Sequence, residues 1–247
     1  MKKRMHFVTQ GLLTGFLILL CLHLSFFIVT GVFIAGLEEK TPEISSLMRY
    51  RYPGNSGLRD IPDIRFIPFR QIPARLMIGV IFIEDFDFYR HGGIDFDSIR
   101  LALSVNRRLG YSAYGGSTLT QQLARTLFLN PGKNYIRKYL EILCALEMEL
   151  ILEKERILEL YFNHAEWGRG IYGLVNASLY HFEKVPEMLD DEEILVLITL
   201  LANPIDYSAA SLTQSRMLSK RYDALAGFFE YLKTTPPVFR STIREAD

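Results

Sequence analysis

Between Phe7 and Leu37 the chain carries no charged residue, counting histidine as neutral. Lys2, Lys3 and Arg4 precede this run, and Glu38 ends it. A helix crosses the hydrocarbon core of a membrane with about 20 apolar residues, so the run is long enough to span with some tilt. Its few polar residues (Thr9, Gln10, Thr14, His23, Ser25 and Thr30) weigh little against that length. A cleaved signal peptide would have an apolar stretch of roughly 7–15 residues ending at a small-x-small site. This run is longer and no such site follows, so residues 7–37 are expected to be an uncleaved transmembrane anchor. The positive-inside rule leaves residues 1–6 as a cytoplasmic tail and puts residues 38–247 outside.

The part beyond the anchor holds 25 Lys and Arg against 28 Asp and Glu, a net of −3, and the whole chain is neutral. Neither balance marks a nucleic-acid binder. The two cysteines are Cys21, inside the apolar run, and Cys144, alone beyond it. No disulfide can therefore form within the exported part, and Cys144, among Ile142, Leu143, Ala145 and Leu146, reads as a buried inert thiol.

Residues 38–65 contain Pro42, Pro53, Gly54, Gly57 and Pro62 and read as a loosely packed tether. Residues 66–247 form the body. Strand-like alternation is rare there, and the expected class is mainly α. An apolar stretch runs into the acidic cluster at residue 84. A short helix then ends at Gly110. The next opens with Ser117 or Thr118 as N-cap and stops at Asn130-Pro131-Gly132. Residues 134–163 hold neither Gly nor Pro, which suggests one or two long helices. Two more are expected, one with acids at its start and Asn203-Pro204 at its end, and one before Pro236-Pro237.

Three stretches could carry chemistry. The first, residues 83–100, sets Glu84, Asp85, Asp87, Asp95 and Asp97 around His91 and Gly92-Gly93. The glycines predict a helix ending near His91, a turn, and Asp95 capping the next helix. Glu84 closes an apolar segment, where partial desolvation would raise its basicity. Composition alone favours the plainer reading, in which the acids face solvent. A metal site is the other reading, but the spacing fits neither a zinc helix pair nor an EF-hand loop. His164 and His181 lie far off, so a dedicated zinc site is not expected. The second stretch, Gly115 to Arg125, places Ser117, Thr118, Gln121 and Gln122 at a helix N-terminus, a favourable place for an anion. It lacks the Gly-Lys-Ser/Thr ending of a Walker loop. An ordinary capped helix with a polar face would look the same. The third sets Lys133, Arg137 and Lys138 just before Glu141, which suits a diphosphate, alone or with a bridging metal. Taken alone, the stretch is better read as a solvated helix face with an Arg137–Glu141 pair.

Taken in order, these stretches resemble the motifs of the peptidoglycan glycosyltransferases, the lipid II polymerising domains of bifunctional penicillin-binding proteins and their monofunctional relatives. Glu84-Asp85-x-x-Phe88-x-x-His91-x-Gly93-x-Asp95 is similar to the first motif. Gly115 through Leu123 is similar to the second, and Arg137-Lys138-x-x-Glu141 to the third. Lys154-x-x-Ile157-Leu158-Glu159-x-Tyr161-Phe162-Asn163, with Gly168 and Tyr172-Gly173, is similar to the fourth. The resemblance covers about residues 67–203, and "NHAEWGRGIYG" looks most like the monofunctional biosynthetic branch. Arg125 stands where the family usually has Lys, Lys133 where it usually has Arg, and "LLANP" departs from the usual last motif.

The resemblance implies a lysozyme-like helical domain with a smaller membrane-facing lobe. It implies Glu84 and Glu141 as catalytic residues, with Glu84 the general base. Arg125, Lys133, Arg137, Lys138, Ser117, Thr118, Gln121, Gln122 and Asn163 would contact substrate. Asp85, Phe88, His91, Gly93 and Asp95 would support the loop that presents Glu84. It implies no tightly bound cofactor, with Mg²⁺ or Mn²⁺ a candidate beside Glu141 and the substrate diphosphate. Implied partners are lipid II, the growing glycan, the membrane, a separate cross-linking transpeptidase and other cell-wall assembly proteins. The implied location is the cytoplasmic (inner) membrane, single-pass, with the catalytic domain on the periplasmic side. Two rivals are a lysozyme-type glycan-cleaving enzyme and a non-catalytic membrane-anchored scaffold. A cleaving enzyme has no diphosphate to bind, and a scaffold has no use for both glutamates. No Ser-x-x-Lys occurs, so peptide cross-linking is not expected of this chain.

Overall fold

The computed structural model describes residues 2–52, 62–110, 115–132, 134–205, 209–212 and 214–234. The apolar run lies in one continuous helix, α1 (Lys2–Gly36). Within it, Thr9–Gly36 is 28 residues long with mean hydropathy 2.6, enough by length and composition to cross a membrane. Most of its leucines and isoleucines are exposed, as a lipid-facing helix requires. Its last turns are not free. Ile34 is fully buried, and Phe26 packs against the domain core.

The partner of α1 is α6 (Tyr135–Ile151). His23 Nε2 meets the Tyr139 hydroxyl at 2.6 Å, and the Thr30 hydroxyl donates to the Glu147 carboxylate. The residues expected to form a loose tether are docked where the structure describes them. Arg156 donates to the Leu37 carbonyl at 2.6 Å and to Thr41 Oγ1 at 3.0 Å. Helix α2 (Ser46–Arg51) is capped by the Ser45 hydroxyl and buries Met48 completely. Pro53, Gly54 and Gly57 lie outside the described residues.

The body is mainly α, as expected. Helix α3 (Ala74–Glu84) packs on α9 (Asp191–Leu200) and α10 (Arg216–Thr234). Helix α4 (Phe96–Leu109) follows, capped by Asp95 and ended by Gly110 at φ +75°. Helix α5 (Leu119–Phe128) sits between α6 and α7 (Lys154–His164). A two-stranded hairpin, β1 (Glu166–Gly168) and β2 (Ile171–Tyr172), pairs antiparallel and leads into α8 (Leu174–Phe182). One core joins these elements apart from α4, with Leu76, Val80, Leu123, Met148, Phe162 and Phe229 among its members.

Of the one or two long helices expected over the Gly- and Pro-free segment 134–163, the structure has two, because Leu152 turns extended (φ −101°, ψ 141°) and buries its side chain in the core. Helix propensity favours continuation there, and core packing overrides it. The acidic segment leaves its helix at Glu84 rather than near His91, because Asp85 adopts φ −161°, ψ 71°. That turn frees the Asp85 carboxylate for contacts far along the chain. The hairpin at 166–172 was not anticipated, since two- and three-residue strands carry no readable alternation.

Candidate active site

Glu84 is the last residue of α3, at the edge of an open cleft. The cleft is walled by Phe82, Asp95 and Ser98 and by the Gly115–Thr118 segment. One carboxylate oxygen of Glu84 pairs with the Arg221 guanidinium of α10. The other accepts from Gln122 Nε2 at 2.9 Å. Gln122 in turn accepts from the Tyr161 hydroxyl at 3.2 Å. Burial and the Glu84 charge push the Tyr161 phenol well above its usual range, although Arg221 and Arg125 oppose this. The solvent-facing reading of Glu84 is thereby replaced: only 15% of its side chain is exposed.

The residues beside Glu84 form its scaffold. Asp85 accepts from His91 Nε2 at 2.8 Å and from the Leu119 backbone N–H at 2.8 Å. His91 Nδ1 accepts the Gly93 N–H at 3.1 Å, which fixes the tautomer with the proton on Nε2. Gly93 has φ +91°, and a Cβ there would lie 2.9 Å from the Ala145 carbonyl oxygen. Its own carbonyl accepts from Thr118 Oγ1 at 2.8 Å. Thr118, not Ser117, caps α5 by accepting the Gln121 N–H. Phe88 is fully buried beneath Lys154, whose Nζ stands 4.3 Å from the ring centroid and donates to the His91 carbonyl at 2.8 Å. Asp95 accepts from the Asp97 and Ser98 N–H groups at 2.9 Å each. Burial pushes its pKa up, but these bonds and the nearby His91 outweigh burial and hold it low.

A second cluster adjoins the cleft through Ser117. Glu141 is completely buried on α6. One of its oxygens accepts from Lys138 Nζ at 2.6 Å, and the other pairs with Arg137. Lys138 also donates to Ser117 Oγ at 2.8 Å and Gln121 Oε1 at 3.0 Å, so all three of its protons are engaged. Gln121 Nε2 and Arg137 Nε are buried without a partner among the described residues. These two donors, with the positive charge of Lys138 and Arg137 in a cluster that reaches the cleft at Ser117, favour an anion.

Two residues implied as substrate contacts stand apart from this arrangement. Asn163 is fully buried. Its amide nitrogen donates to the carbonyls of Ile67 and Glu159, both at 2.8 Å, and its oxygen accepts the Ile67 N–H at 2.8 Å. It clamps the chain entering the body, and no amide hydrogen is left for a ligand. Lys133 lies outside the described residues. Arg125, on α5, is half-buried, and its charge is felt at Tyr161.

The described residues do not fit a metal held by the protein alone. Among the described residues no group of three or more His, Cys, Asp or Glu is placed to share an ion. Both oxygens of Glu141 are already engaged by cations. Cys144 is inert: burial, with Glu147 and Glu141 nearby, pushes its thiol up to about 12. The residue that sequence reasoning missed is Arg221. It sits 137 positions from Glu84 in a segment with no recognisable motif, and only the packing of α10 on α3 brings it there.

A largely buried carboxylate at a cleft edge and an adjoining cationic cluster define a helical enzyme, with an N-terminal helix long and apolar enough to cross a membrane. Residues 59–227 match the sequence profile of the transglycosylase family. A biosynthetic peptidoglycan transglycosylase of Azoarcus sp. (strain BH72) is 35% identical over 211 residues, 84% of this chain and 89% of its own length. One of Aromatoleum aromaticum is 38% identical over 168 residues, 67% of this chain and 73% of its own length. One of Neisseria gonorrhoeae is 40% identical over 151 residues, 61% of this chain and 65% of its own length. The chain belongs to the transglycosylase family, as a glycosyltransferase of peptidoglycan synthesis.

Proposed function

We propose that this protein polymerises lipid II into glycan strands by inverting glycosyl transfer, with Glu84 as general base. The acceptor's GlcNAc 4-hydroxyl gives its proton to Glu84. The oxygen attacks C1 of the MurNAc at the reducing end of the growing strand, and undecaprenyl diphosphate leaves from the opposite face. An α linkage becomes β.

The observation that carries this reading is the state of the Glu84 carboxylate. It is largely buried at the cleft edge, and each oxygen is held by one donor. A carboxylate has about four acceptor sites, so a hydroxyl can still be accepted. Charge builds on the departing diphosphate in the transition state, and preorganised cations are most effective there. Lys138 and Arg137 are fixed by Glu141 for that task, aided by Arg125 and Lys133. Ser117, Gln121 and Gln122 orient sugar or phosphate. No step runs through a metal; a divalent cation would have to arrive with the diphosphate.

The helix Thr9–Gly36 supports a location at the membrane, where a lipid-linked substrate resides. The basic residues before it and Glu38 and Glu39 after it support an extracytoplasmic catalytic domain. Cross-linking of the product falls to a separate transpeptidase. The test is polymerisation of purified lipid II in detergent by the native protein and by Glu84→Gln. Long glycan from the first and none from the second is expected. Equal product from both would remove Glu84 as base, and none from either would remove the polymerase reading.

A further inference from the structure

The Gln122 side chain is held at both ends. Its Nε2 donates to Glu84 at 2.9 Å, and its Oε1 accepts from Tyr161 at 3.2 Å. The carboxylate only accepts, so it decides which end of the amide faces it. The Tyr161 hydroxyl is the group that anchors the far end.

Tyr161 is built for that single role. It is 3% exposed on α7, with its ring edge-on to Phe162 at 5.8 Å between centroids. Its phenol is held far from ionisation, so the O–H persists as a donor at any working pH. The charged and titratable groups around this assembly are Arg221 from α10, Arg125 from α5 and Asp85 beside Glu84. None of them reaches Gln122 Oε1 with a hydrogen bond among the described residues.

We propose that Tyr161 is a positioning residue: its hydroxyl anchors the far end of the Gln122 amide, so that the N–H stays against the Glu84 carboxylate. The proposal rests on the reading of Glu84 as base. With Arg221 on the other oxygen, the lock leaves one carboxylate orientation. Without it, a fraction of molecules would carry a Gln122 swung away from Glu84 and a displaced base. Misplacement of a reacting group by about 1 Å can cost a factor of about 100, so a partial displacement should cost about tenfold.

The test is a double-mutant cycle on lipid II polymerisation with Tyr161→Phe, Gln122→Met and both together. Tyr161→Phe is expected to lower kcat about tenfold and leave KM within about twofold, since the cost falls on orientation rather than binding. In the Gln122→Met background the same change should cost less than about twofold, because no amide is left to orient. Losses that multiply across the cycle would overturn the lock. A second readout needs no turnover: a crystal structure of Tyr161→Phe. In part of the molecules the Gln122 amide should lie away from Glu84, where the native side chain holds Nε2 at 2.9 Å. An unmoved Gln122 would overturn the lock as well. If native protein makes no glycan but Gln122 moves, the polymerase reading falls and the lock stands. Loss of the folded state in Tyr161→Phe would assign the hydroxyl to the fold and overturn the proposal.

Discussion

The Asp85 carboxylate accepts the backbone N–H of Leu119 at 2.8 Å, so the acid next to the proposed base holds the first turn of the helix that carries Gln121 and Gln122. Its other oxygen accepts from His91 Nε2. Both contacts are buried, with 2% of the Asp85 side chain exposed. Asn at this position offers one acceptor, and its amide group must then face a donor. His91 cannot relieve the conflict by switching tautomer, because Nδ1 already accepts from Gly93. Asp85→Asn therefore leaves a buried donor unsatisfied and should cost about 1–3 kcal/mol in stability. Chemical denaturation measures that loss, and turnover of lipid II should fall with it. Unchanged stability would show that the loop relaxes around the amide.

Glu141 is the anion that keeps Arg137 and Lys138 in place. Removing one partner of a buried ion pair leaves uncompensated charge, at about 3–5 kcal/mol when fully enclosed. Lys138 is 37% exposed, so water offsets part of the cost here. Glu141→Gln is expected to destabilise the fold by about 2 kcal/mol and to lower polymerisation by a factor of at least about 100. Added Mn²⁺ should not restore activity. The native protein without substrate should also leave the EPR spectrum of free Mn²⁺ unaltered. Quenching of that spectrum by the protein alone would refute the view that Glu141 is occupied by cations.

His164 supplies a pH dependence of stability. It is fully buried, both ring nitrogens lack a partner among the described residues, and burial, helped by Arg156, lowers its pKa from 6.5 to about 4. Above pH 6.5 both folded and unfolded forms are neutral and stability is complete. Between 6.5 and about 4 the unfolded chain takes up the proton and the folded one does not, so stability falls as pH falls. The loss approaches about 3 kcal/mol near pH 4. His181, whose pKa is also lowered by burial, adds in the same direction. His164→Leu should flatten the fall in melting temperature between pH 7 and pH 5. An equally steep fall in the variant would place the acid sensitivity elsewhere.

Gly93 cannot be replaced without disturbing α6. Its φ of +91° is strained for an L-residue, and the new Cβ would press on the Ala145 backbone at 2.9 Å. Ala145 belongs to α6, the helix of Glu141. Gly93→Ala should lower Tm by roughly 5–10 °C, read by calorimetry. Gly92 meets nothing within 4 Å and serves as the control. If Gly92→Ala were as damaging, the close approach would not be the cause.

Much of this protein was legible in its sequence because the signals are local. An apolar run such as 7–37 has one stable outcome near lipid, since a helix satisfies its backbone polar groups internally. Asp95, Thr118, Gly110 and the acids before α9 marked helix ends, because capping acts within a few residues. Glu84, Glu141 and the cations beside Glu141 stood out only through the resemblance of the ordered motifs to a known family, since each stretch alone reads more simply as a solvated surface. Tertiary structure decided how those groups are used. It turned Asp85 out of the helix, and it converted Asn163 from an implied substrate contact into a clamp on Ile67. It also docked the anchor on α6 and brought Arg221 across 137 positions to Glu84. Spacing along the chain could not reveal these last contacts. They follow from how α10 packs on α3 and α6 on α1, which a shared hydrophobic core sets without regard to separation in sequence.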